Sequence, residues 1–118
     1  DLTTALANRN ANRAIASLHR LLESGDAPHR LLAMMVWQYR TILQAVEMLA
    51  SGAPDDQVRR ATKMRWDTLK VVKAMVREGG GRSSAEALAE LAHANREMNR
   101  HRAGGRRILE ELVVRLCV

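Results

Sequence analysis

Phenylalanine is absent from this sequence, and its only aromatic residues are Trp37, Tyr39 and Trp66. A core made mostly of leucine, valine, isoleucine, methionine and alanine favours helices, because the aromatic and β-branched residues typical of strands are sparse. The single cysteine, Cys117, excludes an internal disulfide and indicates a reducing, cytoplasmic environment. We expect this thiol to be a buried structural group in the last helix.

Long apolar segments are missing as well. No stretch approaches the roughly 20 apolar residues that a membrane-spanning helix needs, and no secretory signal is visible, so we expect no membrane association. The chain begins at Asp1 rather than at a methionine and enters a helical pattern almost at once. We therefore expect residues 1–118 to be a single domain cut from a larger subunit.

The apolar residues recur every three or four positions, which is the spacing of amphipathic helices. Five substantial helices and two short ones are predicted, with breaks or connectors at Asn8–Asn10, Ser24–Asp26, Ser51–Pro54, Met64–Trp66, Gly79–Gly81 and Gly104–Gly105. The longest runs from about Pro28 to Ala50, and we expect it to be central, capped by Asp26, with Trp37 packed inside. Short connections then predict a compact all-α bundle.

Catalytic motifs are also lacking. The four histidines do not pair at metal-binding spacing, and the triple glycine at 79–81 follows a helix instead of the strand that a phosphate-binding loop requires. Ser83 and Ser84 have no nearby base, and helix capping accounts for them. We expect no enzyme activity, no cofactor and no metal ion.

Positive charge is concentrated in one half of the chain. Residues 1–59 contain six arginines and six acidic residues, whereas residues 60–118 contain thirteen lysines and arginines against seven acidic residues. One cluster surrounds Trp66 and comprises Lys63, Arg65, Lys70, Lys73 and Arg77. A second comprises Arg96, Arg100, Arg102, Arg106 and Arg107. Such clusters suit an anionic partner, since the guanidinium group matches phosphate oxygens, although a solvated helix face has the same composition.

Trp66 lies in a predicted connector between Arg65 and Asp67, where two interpretations stay open. An exposed indole flanked by cations is suited to stacking on a base or on the end of a duplex. Alternatively, the side chain folds back into the core. The candidate DNA contacts predicted from the sequence are Lys63, Arg65, Trp66, Lys70, Lys73, Arg100, Arg102 and Arg106.

The order of the segments resembles a known family. Residues 1–15 (DLTTALANRNANRAI), 18–28 (LHRLLESGDAP) and 31–44 (LLAMMVWQYRTILQ) are similar to consecutive motifs in the third domain of bacterial DNA polymerase III delta subunits. Residues 88–95 (LAELAHAN) and 109–117 (LEELVVRLC) are similar to its last two helices. The family's alanine–aspartate and leucine–lysine pairs are replaced here by Ala94-Asn95 and Asn99-Arg100.

This resemblance implies a function as well as a fold. The third domain of delta subunits joins the equivalent domains of gamma or tau and delta-prime in a collar that holds the clamp loader together. Clamp gripping belongs to an N-terminal domain, so contact with the sliding clamp is expected only through that missing part. Primer–template DNA lies beneath the collar, and by position Trp66 is the residue that the resemblance suggests as a contact to the DNA end.

Two other hypotheses stay open at this point. The chain could be a stand-alone helical DNA-binding domain of the helix-turn-helix kind, although the helix after Trp66 offers few amide side chains for reading bases. It could also be the collar domain of the related gamma or delta-prime subunit, which would share the fold.

Overall fold

The structure is a computed structural model that describes residues 2–77, 81–101 and 103–117, with only the backbone described for residues 81–84. The described residues form seven helices and no strand, which confirms the predicted all-α class. The helices are α1 (Leu2–Ala7), α2 (Ala11–Glu23), α3 (Pro28–Ala50), α4 (Asp55–Thr62), α5 (Trp66–Arg77), α6 (Gly81–Arg100) and α7 (Gly105–Leu116).

Local chemistry explains most helix boundaries. The side chain of Asn10 accepts a hydrogen bond from the backbone N–H of Arg13 at 3.2 Å, which caps α2. Gly25 has a φ of +96°, and this left-handed conformation lets the chain leave α2 as predicted. The prediction that Asp26 caps α3 is wrong. Ala27 occupies the cap position without a side-chain hydrogen bond, because Pro28 already begins the helix.

Two further predictions concern the ends of α5 and α6. Trp66 is the first residue of α5 and not part of a connector, and the N–H of Leu69 donates to the carbonyl oxygen of Arg65 at 3.0 Å. Asp67 therefore lies in the first turn, where its charge still complements the helix dipole. The predicted glycine break falls largely outside the described residues, as do the side chains of Ser83 and Ser84.

Helix α3 is the central element, as its composition predicts, and it packs against α4, α5, α6 and α7. Its buried side carries Leu31, Leu32, Met35, Gln38, Tyr39, Ile42, Ala45 and Val46. The prediction that Trp37 packs in the core is wrong, because 64 % of this residue is exposed. Trp37 follows the fully buried Met35 by two positions, which places it roughly 200° around the helix from the core side.

Helices α6 and α7 close the other side of the core with Leu91, Met98, Leu109 and Leu112. The start of α7 lies tightly against the start of α3, since a Cβ atom on Gly105 would be 3.0 Å from the Cβ of Pro28. Cys117, predicted to be buried, is only partly buried at the end of α7. This packing fixes the amino-terminal end of α3, while α4 and α5 also pack on this helix, and together these contacts position the surfaces described next.

Candidate interaction surfaces

One surface is a groove between the end of α3 and the exposed side of α5, here called the basic groove. It has a volume of about 480 Å³ and is lined by Leu49, Trp66, Lys70, Lys73, Val76 and Arg77. The four residues that α5 contributes at positions 66, 70, 73 and 77 are spaced by three or four, so they form one stripe on the helix. The buried Leu69 and Val72 lie to one side of this stripe, where α5 packs on the core, so the stripe borders the packed side of the helix.

Trp66 is accessible in this groove, with 43 % of the residue exposed. The guanidinium carbon of Arg59 lies over the indole at 5.7 Å from the ring centroid, within the range of a cation–π contact. Trp66 is therefore not the core residue that one sequence interpretation allowed. Met64, two positions earlier, is buried in its place.

The cations of the groove differ in what they contact. The Nζ atom of Lys73 donates to the Oδ2 atom of Asp55 at 2.9 Å, which ties α5 to the start of α4 and offsets the charge of this lysine. Lys70 and Arg77 are exposed, and neither forms an ion pair with an acid among the described residues. Among the described residues, the groove therefore presents two cations without an acidic partner beside an aromatic ring.

The second predicted cluster lies at the other end of α3. Arg100 ends α6 and Arg106 lies in the first turn of α7, where its Nε atom is 3.9 Å from Glu110. Since α7 starts against Pro28 and the groove begins at Leu49, the rise of α3 separates the two clusters by roughly 30 Å. Arg102, also predicted as a DNA contact, lies outside the described residues.

Lys63 and Arg65 line a third surface feature, a small cleft beside Trp37 that we call the Trp37 cleft. It has a volume of about 160 Å³ and is lined by Thr3, Trp37, Gln38, Thr41, Ile42, Thr62, Lys63, Met64, Arg65 and Thr68. The cleft brings together α1, the middle of α3 and the link from α4 to α5. Sequence reasoning missed Trp37 as a surface candidate, although its angular position relative to Met35 carried the signal. It also did not single out Gln38, which is buried on the core side of α3 beside the cleft.

The remaining titratable groups offer little reactive chemistry. Burial raises the pKa of the Cys117 thiol, and this disfavours the nucleophilic thiolate. Burial also raises the pKa of Tyr39 well above its usual value, so its phenol stays protonated. The described residues contain no group of three or more histidine, cysteine or acidic side chains placed to hold a metal ion. The surfaces are thus equipped for stacking, ion pairing and apolar contact.

Comparison with protein families agrees with this architecture. Residues 1–116 match the family described as the DNA polymerase III delta subunit, C-terminal domain. The chain belongs to this family. A match to the delta subunit over nearly the whole chain does not favour the two alternatives, a stand-alone DNA-binding domain or the collar domain of gamma or delta-prime.

A solved structure has the same fold as this delta C-terminal domain. The Bacillus subtilis DNA clamp loader delta protein (YqeN) superposes with a TM-score of 0.77 at 21 % sequence identity. The superposition covers 98 % of this chain and 34 % of the other, so the chain spans about a third of the length of that protein. Among curated protein sequences, none matches this chain. No helix in the described parts of the domain is long and apolar enough to span a bilayer.

Proposed function

We propose that this domain is the subunit-joining collar part of a DNA polymerase III delta subunit. In this function it docks on the equivalent domains of gamma or tau and delta-prime, and the assembled loader places the sliding clamp at primer–template junctions. The observation that carries the proposal is the family match over residues 1–116, supported by the shared fold. The proposal assigns the domain no catalytic group and no cofactor, and it leaves contact with the clamp to the N-terminal part of the subunit.

The shape of the domain supports this assignment. A single core holds all seven helices in one body with extents of 45 × 24 × 23 Å, so the domain can act as a rigid unit between neighbours. Large apolar residues, Met34 and Trp37, remain exposed on the outer side of α3. Exposed tryptophan is enriched where proteins meet, because its ring supplies a large contact area at low entropic cost.

Assembly in solution tests the proposal. The delta subunit that carries this domain is mixed with gamma or tau and delta-prime from the same organism, and the mixture is analysed by sedimentation velocity. We expect a complex that contains all the subunits, and its loss when residues 1–118 are removed from delta. A deletion variant that assembles as well as the intact subunit would contradict the proposal.

A second part of the proposal concerns DNA. The basic groove would contact the primer–template junction through Trp66, Lys70 and Arg77, with Lys73 as a weaker contributor because it is paired with Asp55. An aromatic ring beside unneutralised cations is the combination that binds unpaired bases and phosphates without reading sequence. Arg100 and Arg106 lie too far away to contact the same few nucleotides and would meet another stretch of the backbone. Arg102, which lies outside the described residues, stays a candidate DNA contact on the basis of the sequence alone. Lys63 and Arg65 lie at the Trp37 cleft.

A further inference from the structure

The Trp37 cleft combines an exposed ring with a buried amide. Trp37 and Gln38 are neighbours on α3, yet 64 % of the tryptophan is exposed and only 4 % of the glutamine. Methyl-bearing side chains of Thr41, Ile42 and Met64 contribute to the lining of the space between them. The result is a small apolar recess with an indole at its edge.

Only one of the two polar atoms in the side-chain amide of Gln38 has a hydrogen-bond partner among the described residues. Its Nε2 atom donates to the backbone carbonyl of Thr3 at 2.9 Å. That carbonyl can only accept, so the amide orientation is settled and the carbonyl oxygen Oε1 must face another group. Oε1 is buried and has no hydrogen-bond partner among the described residues. A buried acceptor left without a donor destabilises the fold, and a donor brought by a partner would remove that cost.

The rim of the cleft is positively charged. Lys63 ends α4 in a left-handed conformation, with a φ of +57°, and its side chain is exposed. It forms no ion pair with the acids that the structure describes, whereas Arg65 lies 3.8 Å from Asp67. A ligand that carries a negative charge beside its apolar part would therefore complement Lys63.

We propose that the Trp37 cleft receives a segment of a neighbouring clamp-loader subunit. This segment inserts one apolar side chain beneath Trp37 and places a carboxylate near Lys63. As it seats, the cleft opens enough for an N–H of the segment to reach the Oε1 atom of Gln38, which is closed off in the free domain. The inference rests on the proposed collar function and assigns the contact to one face of α3. The cleft is smaller than the roughly 300–1,000 Å³ typical of small-molecule pockets, which suits an anchoring side chain.

Protein fits this cleft better than nucleic acid does. The unsatisfied Oε1 atom of Gln38 is an acceptor, as phosphate oxygens are, so a phosphate drawn to Lys63 would offer it no hydrogen-bond donor. A protein segment carries N–H donors along its whole length. The two tryptophans thus belong to surfaces of different chemistry.

Binding measurements with full-length delta variants test the proposal, using purified gamma or tau and delta-prime as the probe. Trp37→Ala should weaken assembly about 30-fold or more, as expected for a central interface tryptophan, while Trp37→Phe keeps most of the affinity. Gln38→Met, which removes the acceptor, should weaken it roughly 2- to 10-fold. Lys63→Glu should cost roughly 3- to 10-fold, and more at low salt.

Matched controls change similar residues outside the cleft. Val114→Ala trims an exposed apolar side chain on α7, and Arg107→Glu reverses an exposed charge on the same helix. Both should assemble like the unaltered subunit. The Trp37 and Lys63 variants and both controls should keep the thermal midpoint of the unaltered subunit within a few degrees, since these residues are exposed. Gln38→Met also removes the buried hydrogen bond to Thr3, so its binding is compared at a temperature well below its own thermal midpoint. If all three cleft variants assemble normally, the cleft proposal is overturned while the collar function stands. If even unaltered delta fails to assemble, both are overturned.

Hydroxyl-radical footprinting read by mass spectrometry locates the contact independently. We expect both exposed tryptophans to react readily in free delta. Partner subunits should protect Trp37 at least about fivefold if the apolar anchor seals the cleft. Primer–template DNA added to the assembled loader should then protect Trp66 and leave Trp37 unchanged. Protection of Trp37 by DNA, or no protection by the partner subunits, would overturn the inference.

Discussion

The two tryptophans show how differently one residue type can be used in the same small bundle. Trp37 lies in the middle of the longest helix and is nevertheless the more exposed, whereas Trp66 begins a short helix and is partly covered by Arg59. Cations line the groove around Trp66, and methyl groups with a buried amide line the cleft beside Trp37. The chemistry of the neighbours, more than the indole itself, indicates what each surface binds.

The largest expected effect comes from a substitution in the core that weakens the basic groove and the Trp37 cleft together. Leu69 is fully buried on α5, between Thr68 of the cleft and Lys70 of the groove. Leu69→Ala should lower the free energy of unfolding by about 2–5 kcal/mol and weaken both surfaces together. Urea denaturation followed by circular dichroism measures this loss. Leu69→Met conserves volume and should cost less than about 1.5 kcal/mol.

The next largest effect should fall on the basic groove alone and change only the affinity for DNA. Trp66→Ala in the assembled loader should weaken primer–template binding roughly 5- to 150-fold, because stacking of a base on an aromatic ring contributes about 1–3 kcal/mol. Subunit assembly should not change. Fluorescence anisotropy of labelled primer–template DNA gives the affinity, with Trp66→Phe as the control that retains a ring. Early thermal melting of Trp66→Ala would instead indicate that the indole supports the fold.

The salt dependence of DNA affinity should distinguish the cations of the basic groove from one another. Lys70→Gln and Arg77→Gln should each lower the slope of log affinity for DNA against log salt by about 0.7–0.9, because each removes one phosphate contact. Lys73→Gln should lower it less, since Asp55 already neutralises this lysine. Titrations at several salt concentrations provide the slopes. Equal slopes for all three variants would mean that the Lys73–Asp55 pair opens when DNA binds.

The smallest expected effect concerns that same pair. Lys73 and Asp55 are 18 positions apart in the chain and join α5 to α4 across their partly exposed surfaces. A double-mutant cycle with Lys73→Met and Asp55→Asn should give a coupling of about 0.2–1 kcal/mol in the free energy of unfolding. The coupling should shrink at high salt. A coupling that salt leaves unchanged would argue against an electrostatic origin.

Much of the fold followed from local patterns in the sequence. Apolar spacing located the helices, and Gly25 and Pro28 marked the boundary between α2 and α3 correctly. Trp37 was misplaced because residue type was given more weight than angle around the helix. The distinction between Lys70 and Lys73 also escaped sequence reasoning, since it depends on a contact with α4 that no local pattern encodes.

The Trp37 cleft was beyond prediction for a related reason. It requires Thr3, Gln38 and the segment 62–68 to meet, and these come from three separate parts of the chain. Helical periodicity describes one element at a time and does not determine which elements become neighbours. The half-satisfied amide of Gln38 is visible only after the backbone of α1 is positioned beside it.

Helix α3 also fixes the distance between the surfaces at its two ends. It is one uninterrupted helix of 23 residues held by four others, so its ends cannot approach or separate without breaking backbone hydrogen bonds or core contacts. The arginines near its amino end and the groove at its carboxyl end therefore keep a constant spacing. A ligand that touches both ends must match that length or bend to fit it.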